Sequence, residues 1–225
     1  MLPVPLPDEP FGLFREWFDL AQQRKDQPNP KAMTLATVGA DGRPDARIVL
    51  CKGIDDANGH IVFYTNERGR KGRELTAHPH AAVVFHWDHA DRQVRMEGPV
   101  VRSPAWESDA YFASRPLLSR IGAWASDQSE PIASRGAMVE KLHATMRRFG
   151  VDPANLPGRE VRVEVPRPAH WGGFRIHAAR VEMWCAGEGR LHDRAAWMRE
   201  LRAGTEAEGA AFVGAGPWKA TRLQP

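Results

Sequence analysis

The chain has 225 residues, 42% hydrophobic and 26% charged, with eight Trp and nine Phe, which excludes a disordered or collagen-like polymer and leaves material for a packed core. Lys and Arg number 31 against 28 Asp and Glu, a net charge of +3, too even for a basic nucleic-acid-binding tail, so any anion site must come from local clustering. Cys51 and Cys185 are the only cysteines; they are too few for a disulfide framework and wrongly spaced for zinc, which sets the expectation of a reducing, cytoplasmic compartment. No apolar run nears the length of about 18 residues that a span needs, and Met1 to Pro10 lacks the basic and apolar regions of a leader, so neither secretion nor a membrane is expected.

In chain order, Phe11, Phe14, Trp17, Phe18 and Ala21 recur at steps of three and four between Asp8 and Lys25 and predict an amphipathic helix. Strands are predicted at Ala32–Val38, Ala46–Lys52 and His60–Asn66, separated by the turn signals Asp41-Gly42 and Asp55–Gly59. A short basic helix over Gly69–Ala77 precedes strands at Ala81–Trp87 and Gln93–Arg102. Ser103 and Pro104 read as the cap and first residue of a helix that closes before Arg115-Pro116, and a second helix spans Ser134–Phe149. Beyond a linker at Asp152–Gly158, strands are predicted at Arg162–Val165, Phe174–Cys185, around Leu191 and at Lys219–Leu223. Short strands with inserted helices predict a mainly β fold with added helices, a barrel in one domain over residues 1–225, with residues 1–10 flexible.

No dinucleotide, P-loop or nucleophile-elbow motif is present, which removes the main support for Rossmann, P-loop and hydrolase readings. His78, His80, His86 and His89 lack further ligands at supporting spacing and read as exposed turn histidines. Three clusters could hold anions. Arg68, Arg70, Lys71 and Arg73 surround a predicted helix start, which suits a phosphate as well as a solvated face. Tyr111, Arg115 and Ser119 follow at steps of four, the first two on one helix face and Ser119 in the turn after Pro116, beside a helix C-terminus that repels anions. Arg190, His192 and Arg194 alternate with Leu191 and Asp193, so an extended strand would project all three from one face near Trp184. Arg47 and Lys52 fall on opposite faces of a strand unless a bulge intervenes, and Gln128 and Ser129 are loop donors.

These residues carry a resemblance. Arg47–Lys52, Val62–Asn66 with Arg70-Lys71, Tyr111–Pro116, Ile121–Trp124 with Gln128-Ser129, Trp171–Arg175 and Arg190–Arg194 are similar, in order, to motifs of the pyridoxamine 5′-phosphate oxidase family, over about Phe14 to the C-terminus. The resemblance implies an FMN-binding split β-barrel homodimer with two FMN sites at the subunit interface. It implies flavin contacts at Arg47, Ile48, Val49, Leu50, Cys51, Lys52, Tyr64, Thr65, Arg70, Lys71, Gln93, Gln128, Ser129, Trp184 and Arg194. Lys52, Tyr111, Arg115 and Ser119 would cradle the substrate phosphate, with Arg190 and His192 over its pyridine ring as the catalytic pair. The implied reaction oxidises pyridoxamine 5′-phosphate or pyridoxine 5′-phosphate at C4′ to pyridoxal 5′-phosphate while O2 becomes H2O2, with neither metal nor nucleic acid involved. The chain departs from the family pattern at Leu117 and Arg120, where Arg and Gln are usual, at Cys51, and in an N-terminus poor in basic and aromatic residues. Competing readings are a phenazine-type oxidase of the same fold and a non-catalytic flavin or pyridoxal-phosphate carrier.

Overall fold

The structure, a computed structural model, describes residues 1–24, 26–155, 163–205 and 210–225. It divides into two compact units: unit 1 comprises Met1–Phe63, Glu74–Val101 and Phe174–Pro225, and unit 2 comprises Tyr64–Arg73 and Arg102–Gly173.

Unit 1 begins with helix α1 (Phe11–Gln23), which buries the five apolar residues whose spacing predicts it. The Glu9 carboxylate accepts the first N–H groups, from Phe11 at 2.8 Å and Gly12 at 2.9 Å, where the helix dipole favours negative charge. Phe14 packs against Phe85 with ring centroids 5.2 Å apart, and Phe18 meets the same ring edge-on at 5.9 Å. The following strands are β1 (Ala32–Val38), β2 (Pro44–Leu50), β3 (Gly53–Asp55) and β4 (His60–Asn66). Helix α2 (Arg70–Ala77) then precedes β5 (His80–Trp87) and β6 (Arg92–Arg102). Strand β7 (Trp171–His177), whose first three residues belong to unit 2, is followed by β8 (Arg180–Cys185), β9 (Asp193–Met198), β10 (Leu201–Ala203), β11 (Phe212–Gly214) and β12 (Lys219–Leu223). The main sheet has ten strands in the order β12-β9-β8-β6-β5-β1-β2, with β7 also pairing with β6, β4 with β7, and β3 with β4; β10 and β11 form a separate hairpin.

Alternation assigns the two faces. On β6, Val94 and Met96 point into the core while Gln93, Arg95 and Glu97 point out, and β8 continues this with Val181 and Met183 inward. The paired register of β6 with β8 runs from Arg92 opposite Cys185 to Glu97 opposite Arg180. At the next residue, Gly98, a Cβ would overlap the His177 carbonyl oxygen; only glycine lets the β7–β8 turn approach where the sheet forks.

Several expectations change. The strand expected over Phe174–Cys185 is two strands, because the backbone turns at Ala178-Ala179, with Ala179 N donating to Glu97 O at 2.9 Å. Residues 1–10 are tied down: Leu2 is in the core, its N–H donates to Asp193 Oδ2 at 2.7 Å, and Trp197 Nε1 donates to Pro7 O at 2.8 Å. The helix expected to Lys25 ends at Gln23. The linker at 152–158 and the strand at Arg162–Val165 reach into 156–162, outside the described residues, and Val163–Val165 are not in a strand.

Unit 2 holds helices α3 (Ala105–Ala113), α4 (Leu117–Ala125) and α5 (Arg135–Arg148), packed around Phe112, Ile121, Met146 and Trp171. Ser134, where the predicted helix begins, caps α5 by accepting from Ala137 N at 3.0 Å. Ser103 does not cap α3: Pro104 occupies the cap position without a side-chain bond, and the Ser103 backbone N–H is taken by Gly173 O at 2.8 Å. Helix α4 is absent from the sequence expectation. Pro116 precedes its first turn, so the proline that ends one helix also starts the next.

His177, fully buried in unit 1, lies 4.8 Å from His60 and 5.6 Å from Phe212 between ring centroids, and neither of its nitrogens has a hydrogen-bond partner. Burial, then the charges of His60, Arg175 and Arg199, pulls its pKa from 6.5 down to about 4, against a raising influence from Asp55. The unfolded chain therefore takes up a proton that the folded one refuses. This stability is fully present above pH 6.5 and is lost as pH falls from 6.5 to about 4, a loss of order ~3 kcal/mol. His177→Phe should flatten this limb: denaturant midpoints at pH 7 and at pH 4.5 should differ less in the variant than in the parent chain.

Candidate active site

In unit 1, three expected flavin contacts form one cross-strand row. Gln93 pairs with Trp184, and Trp184 pairs with Arg194, all on the outward face of β6, β8 and β9. The neighbouring row is electrostatic. Glu182, only 4% exposed, accepts from Arg194 Nη2 at 2.8 Å and from Arg180 Nη2 at 2.9 Å, with Arg95 Nη1 at 3.5 Å. Arg194 also donates Nη1 to Gln224 O at 3.0 Å, while its buried Nε has no partner. One buried carboxylate thus fixes the direction of three guanidinium groups.

Arg47 is committed elsewhere. Its guanidinium donates to Thr37 Oγ1, to Asp45 Oδ2 at 2.5 Å and to the buried Glu74 Oε2 at 2.8 Å. Strand β2 leaves Ile48 65% exposed and Leu50 exposed, with Val49 half-buried on the other face. Cys51 is buried, and desolvation pushes its thiol up to about 12, which removes it as a nucleophile. The opposite-face expectation for Arg47 and Lys52 does not apply, because Lys52 lies beyond the end of β2; it is exposed, and its N–H donates to Val62 O at 2.8 Å.

The extended-strand reading of Arg190–Arg194 is also corrected. Glu188–Arg190 form a 3-10 turn in which Gly189 and Arg190 take φ of 59° and 66°, and the chain becomes a strand only at Asp193. Arg190 is exposed at the turn, while the His192 ring lies against Trp184 at 4.7 Å. Proximity thus comes from a closed loop and not from strand parity.

In unit 2, Lys71 Nζ donates to Gln128 Oε1 at 2.7 Å and lies 3.3 Å from Thr65 Oγ1, whose hydroxyl donates to the same Gln128 oxygen at 2.9 Å. Arg73 joins this loop through Glu130 at 2.7 Å. Arg70 opens α2 on the exposed side, and Ser129 is exposed with φ 74°, a left-handed conformation rare outside glycine and a mark of functional loops.

The Tyr64, Tyr111 and Trp171 rings are near-parallel, with centroids 4.0 Å (Tyr64–Tyr111) and 5.4 Å (Tyr64–Trp171) apart. The Arg115 guanidinium lies 4.7 Å from the Trp171 centroid, and its Nη1 is buried without a partner. Burial lowers the Arg115 pKa, with Tyr111 opposing. Because α3 ends at Ala113, Arg115 does not share a helix face with Tyr111. Ser119 lies in the first turn of α4, where free N–H groups and the dipole favour an anion, the reverse of the C-terminal setting expected. Glu182, Glu74 and Trp171 are the residues whose parts sequence reasoning missed. Only Trp171 left a signal, in the Trp-Gly-Gly motif. No group of three metal-ligating side chains occurs among the described residues, and none of their helices is long and apolar enough to cross a membrane.

The family model described as pyridoxamine 5′-phosphate oxidase matches residues 20–145, and that of the pyridoxine 5′-phosphate oxidase C-terminal dimerisation region matches residues 171–225. The chain belongs to the pyridoxamine 5′-phosphate oxidase family. It is 53% identical over 194 residues to a pyridoxine/pyridoxamine 5′-phosphate oxidase of Azorhizobium caulinodans, covering 86% of this chain and 84% of the relative. With that of Burkholderia cenocepacia it is 46% identical over 217 residues, covering 96% and 89%. Among solved structures, PhzG from Burkholderia lata, in complex with tetrahydrophenazine-1-carboxylic acid, superimposes with a TM-score of 0.80 at 29% identity, covering 97% of this chain and 94% of that one. A pyridoxamine 5′-phosphate oxidase-related, FMN binding protein of Nostoc punctiforme gives a TM-score of 0.65 at 16% identity, covering 95% and 96%, a likeness of fold. The fold is therefore the split β-barrel of this family, mainly β with five added α-helices among the described residues.

Removing the carboxylate that gathers Arg95, Arg180 and Arg194 should expose its importance. Glu182→Ala leaves guanidinium groups facing each other and should cost roughly 2–3 kcal/mol of stability, read as a lowered denaturation midpoint at neutral pH. Glu97→Ala, whose half-exposed carboxylate meets Arg180 at 3.4 Å, should cost under about 1 kcal/mol.

Proposed function

We propose that this chain is an FMN-dependent oxidase converting pyridoxamine 5′-phosphate and pyridoxine 5′-phosphate to pyridoxal 5′-phosphate, with O2 reduced to H2O2, and that it acts as a cytoplasmic homodimer. The observation that carries the reading is identity of about half over most of the chain to oxidases with that name. The donor sets support it. In unit 2, the Arg115 nitrogen without a partner, Ser119 and the first turn of α4 suit a phosphate dianion beside Tyr111. Lys71, Thr65, Gln128 and Arg70, at the start of α2, suit the phosphate end of FMN. In unit 1, Gln93, Trp184 and Arg194 suit the polar edge of a flavin, since the buried Arg194 Nε still lacks an acceptor. Lys52, Ser129 and the backbone of residues 47–51 complete the proposed flavin contacts, Lys52 also serving the substrate phosphate.

FMN supplies the redox chemistry when bound, and the protein supplies orientation and charge. The amine substrate consumes O2 and water and yields ammonia and H2O2 with the aldehyde; the alcohol consumes O2 alone. Arg190 and His192 are the proposed ring-facing pair. A homodimer is supported by the match to a dimerisation region and by the apolar outer face that β2 presents through Ala46, Ile48 and Leu50. The second reading, a phenazine-type oxidase, is favoured by the likeness to PhzG.

Kinetics separate the roles. With FMN saturating, Arg115→Ala should chiefly raise KM for pyridoxamine 5′-phosphate, since it would grip a group that does not react, whereas Arg190→Ala and His192→Ala should lower kcat as well. A pure KM effect in all three would remove the catalytic assignment. Lys71→Ala should weaken FMN binding by roughly 1.5–3 kcal/mol, measured by flavin fluorescence, with little change in kcat once loaded.

A further inference from the structure

The loop between β8 and β9 fixes where His192 carries its hydrogen. Leu191 N donates to Glu188 O at 3.0 Å, and the successive left-handed residues Gly189 and Arg190 fold the chain back on itself. A Cβ on Gly187 would overlap the Leu191 carbonyl oxygen, so glycine is needed for the ends of the loop to close. Closure sets the Gly187 backbone N–H 3.2 Å from His192 Nδ1, while Trp184 backs the ring at 4.7 Å. A backbone amide can only donate. Nδ1 must therefore hold the lone pair, and in the neutral ring the hydrogen sits on Nε2.

We infer that His192 acts as a neutral Nε2–H hydrogen-bond donor toward an oxygen or nitrogen acceptor of the ring-bearing substrate, and that Gly187 is the positioning residue that sets this tautomer. His192 is then not the base that accepts a substrate proton through Nε2, because that position is already protonated. The identity of the acceptor rests on the oxidase reading; the tautomer does not.

The test is a two-bond ¹H–¹⁵N correlation spectrum of the FMN-loaded protein with labelled histidine, at a pH where the imidazoles are neutral. The His192 signals are identified by their disappearance in His192→Asn. The expected pattern has Nε2 protonated and Nδ1 bare; the reverse pattern, or an exchange-averaged mixture, overturns the inference. Gly187→Ala should convert the fixed pattern into a mixture, and an unchanged pattern removes Gly187 from the account. In turnover of pyridoxamine 5′-phosphate, His192→Gln, which keeps an amide donor near the Nε2 position, should retain kcat/KM within about tenfold, the worth of one hydrogen bond. His192→Asn, which reaches only the Nδ1 position, should fall further, and equal losses count against donation from Nε2. If no B6 vitamer is turned over, the oxidase reading fails while the spectrum still decides the tautomer.

Discussion

The register of β6 against β8 and β9 is the constraint on which the rest of unit 1 depends. A slip of one residue would turn Gln93, Trp184 and Arg194 into the core and push Val94, Met183 and Ala195 into solvent. The register is held from both faces. Inside, Val94, Met96, Val181 and Met183 are buried in one cluster; outside, Glu182 binds the guanidinium groups of Arg95, Arg180 and Arg194. Gly98 then ends the pairing with β8 by admitting the β7–β8 turn. The loop that carries Arg190 and His192 grows directly from β8 and β9, so its position follows from the same register.

Half-buried arginines behave in two ways in this protein, and the contrast carries chemical information. Arg47 is satisfied by Thr37, Asp45 and Glu74, so its charge is balanced within the fold. Arg115 lies over Trp171 with a buried N–H unanswered, and burial lowers its pKa. A guanidinium left short of acceptors in a partly desolvated place is one that an anion would complete. In unit 2, that residue, the start of α4 and the aromatic stack at Tyr64, Tyr111 and Trp171 offer charge, N–H groups and a flat apolar wall.

Local chemistry made much of the fold legible. The spacing of Phe11 to Ala21 gave α1, Asp41-Gly42 gave a hairpin, and Ser134 gave the start of α5, because in each case a short-range rule decides the outcome. The failures also share a cause. Helix α4 is hidden in the sequence because Pro116 reads as a stop when it is equally a start, and that reading places Ser119 at the wrong end of a helix dipole. The break at Ala178-Ala179 carries no turn signal, since Gly98 on another strand dictates it. The basic cluster Arg190, His192 and Arg194 is visible in the sequence and its role comes from the resemblance, but its alternation reads as a strand where two left-handed residues close a loop. Glu182 could not be found in advance, because its value lies in three arginines that only the sheet brings together.

We propose that this split barrel holds a flavin and that a phosphorylated pyridine substrate reduces it. The direct measurement is the visible spectrum of the purified protein, mixed without oxygen with pyridoxamine 5′-phosphate and, separately, with a reduced phenazine carboxylic acid. The expected result is about one FMN per subunit, bleached by the vitamer within turnover times, with the colour returning and H2O2 appearing when air is admitted. A protein that binds no flavin, or whose flavin is bleached by the phenazine acid alone, would contradict it.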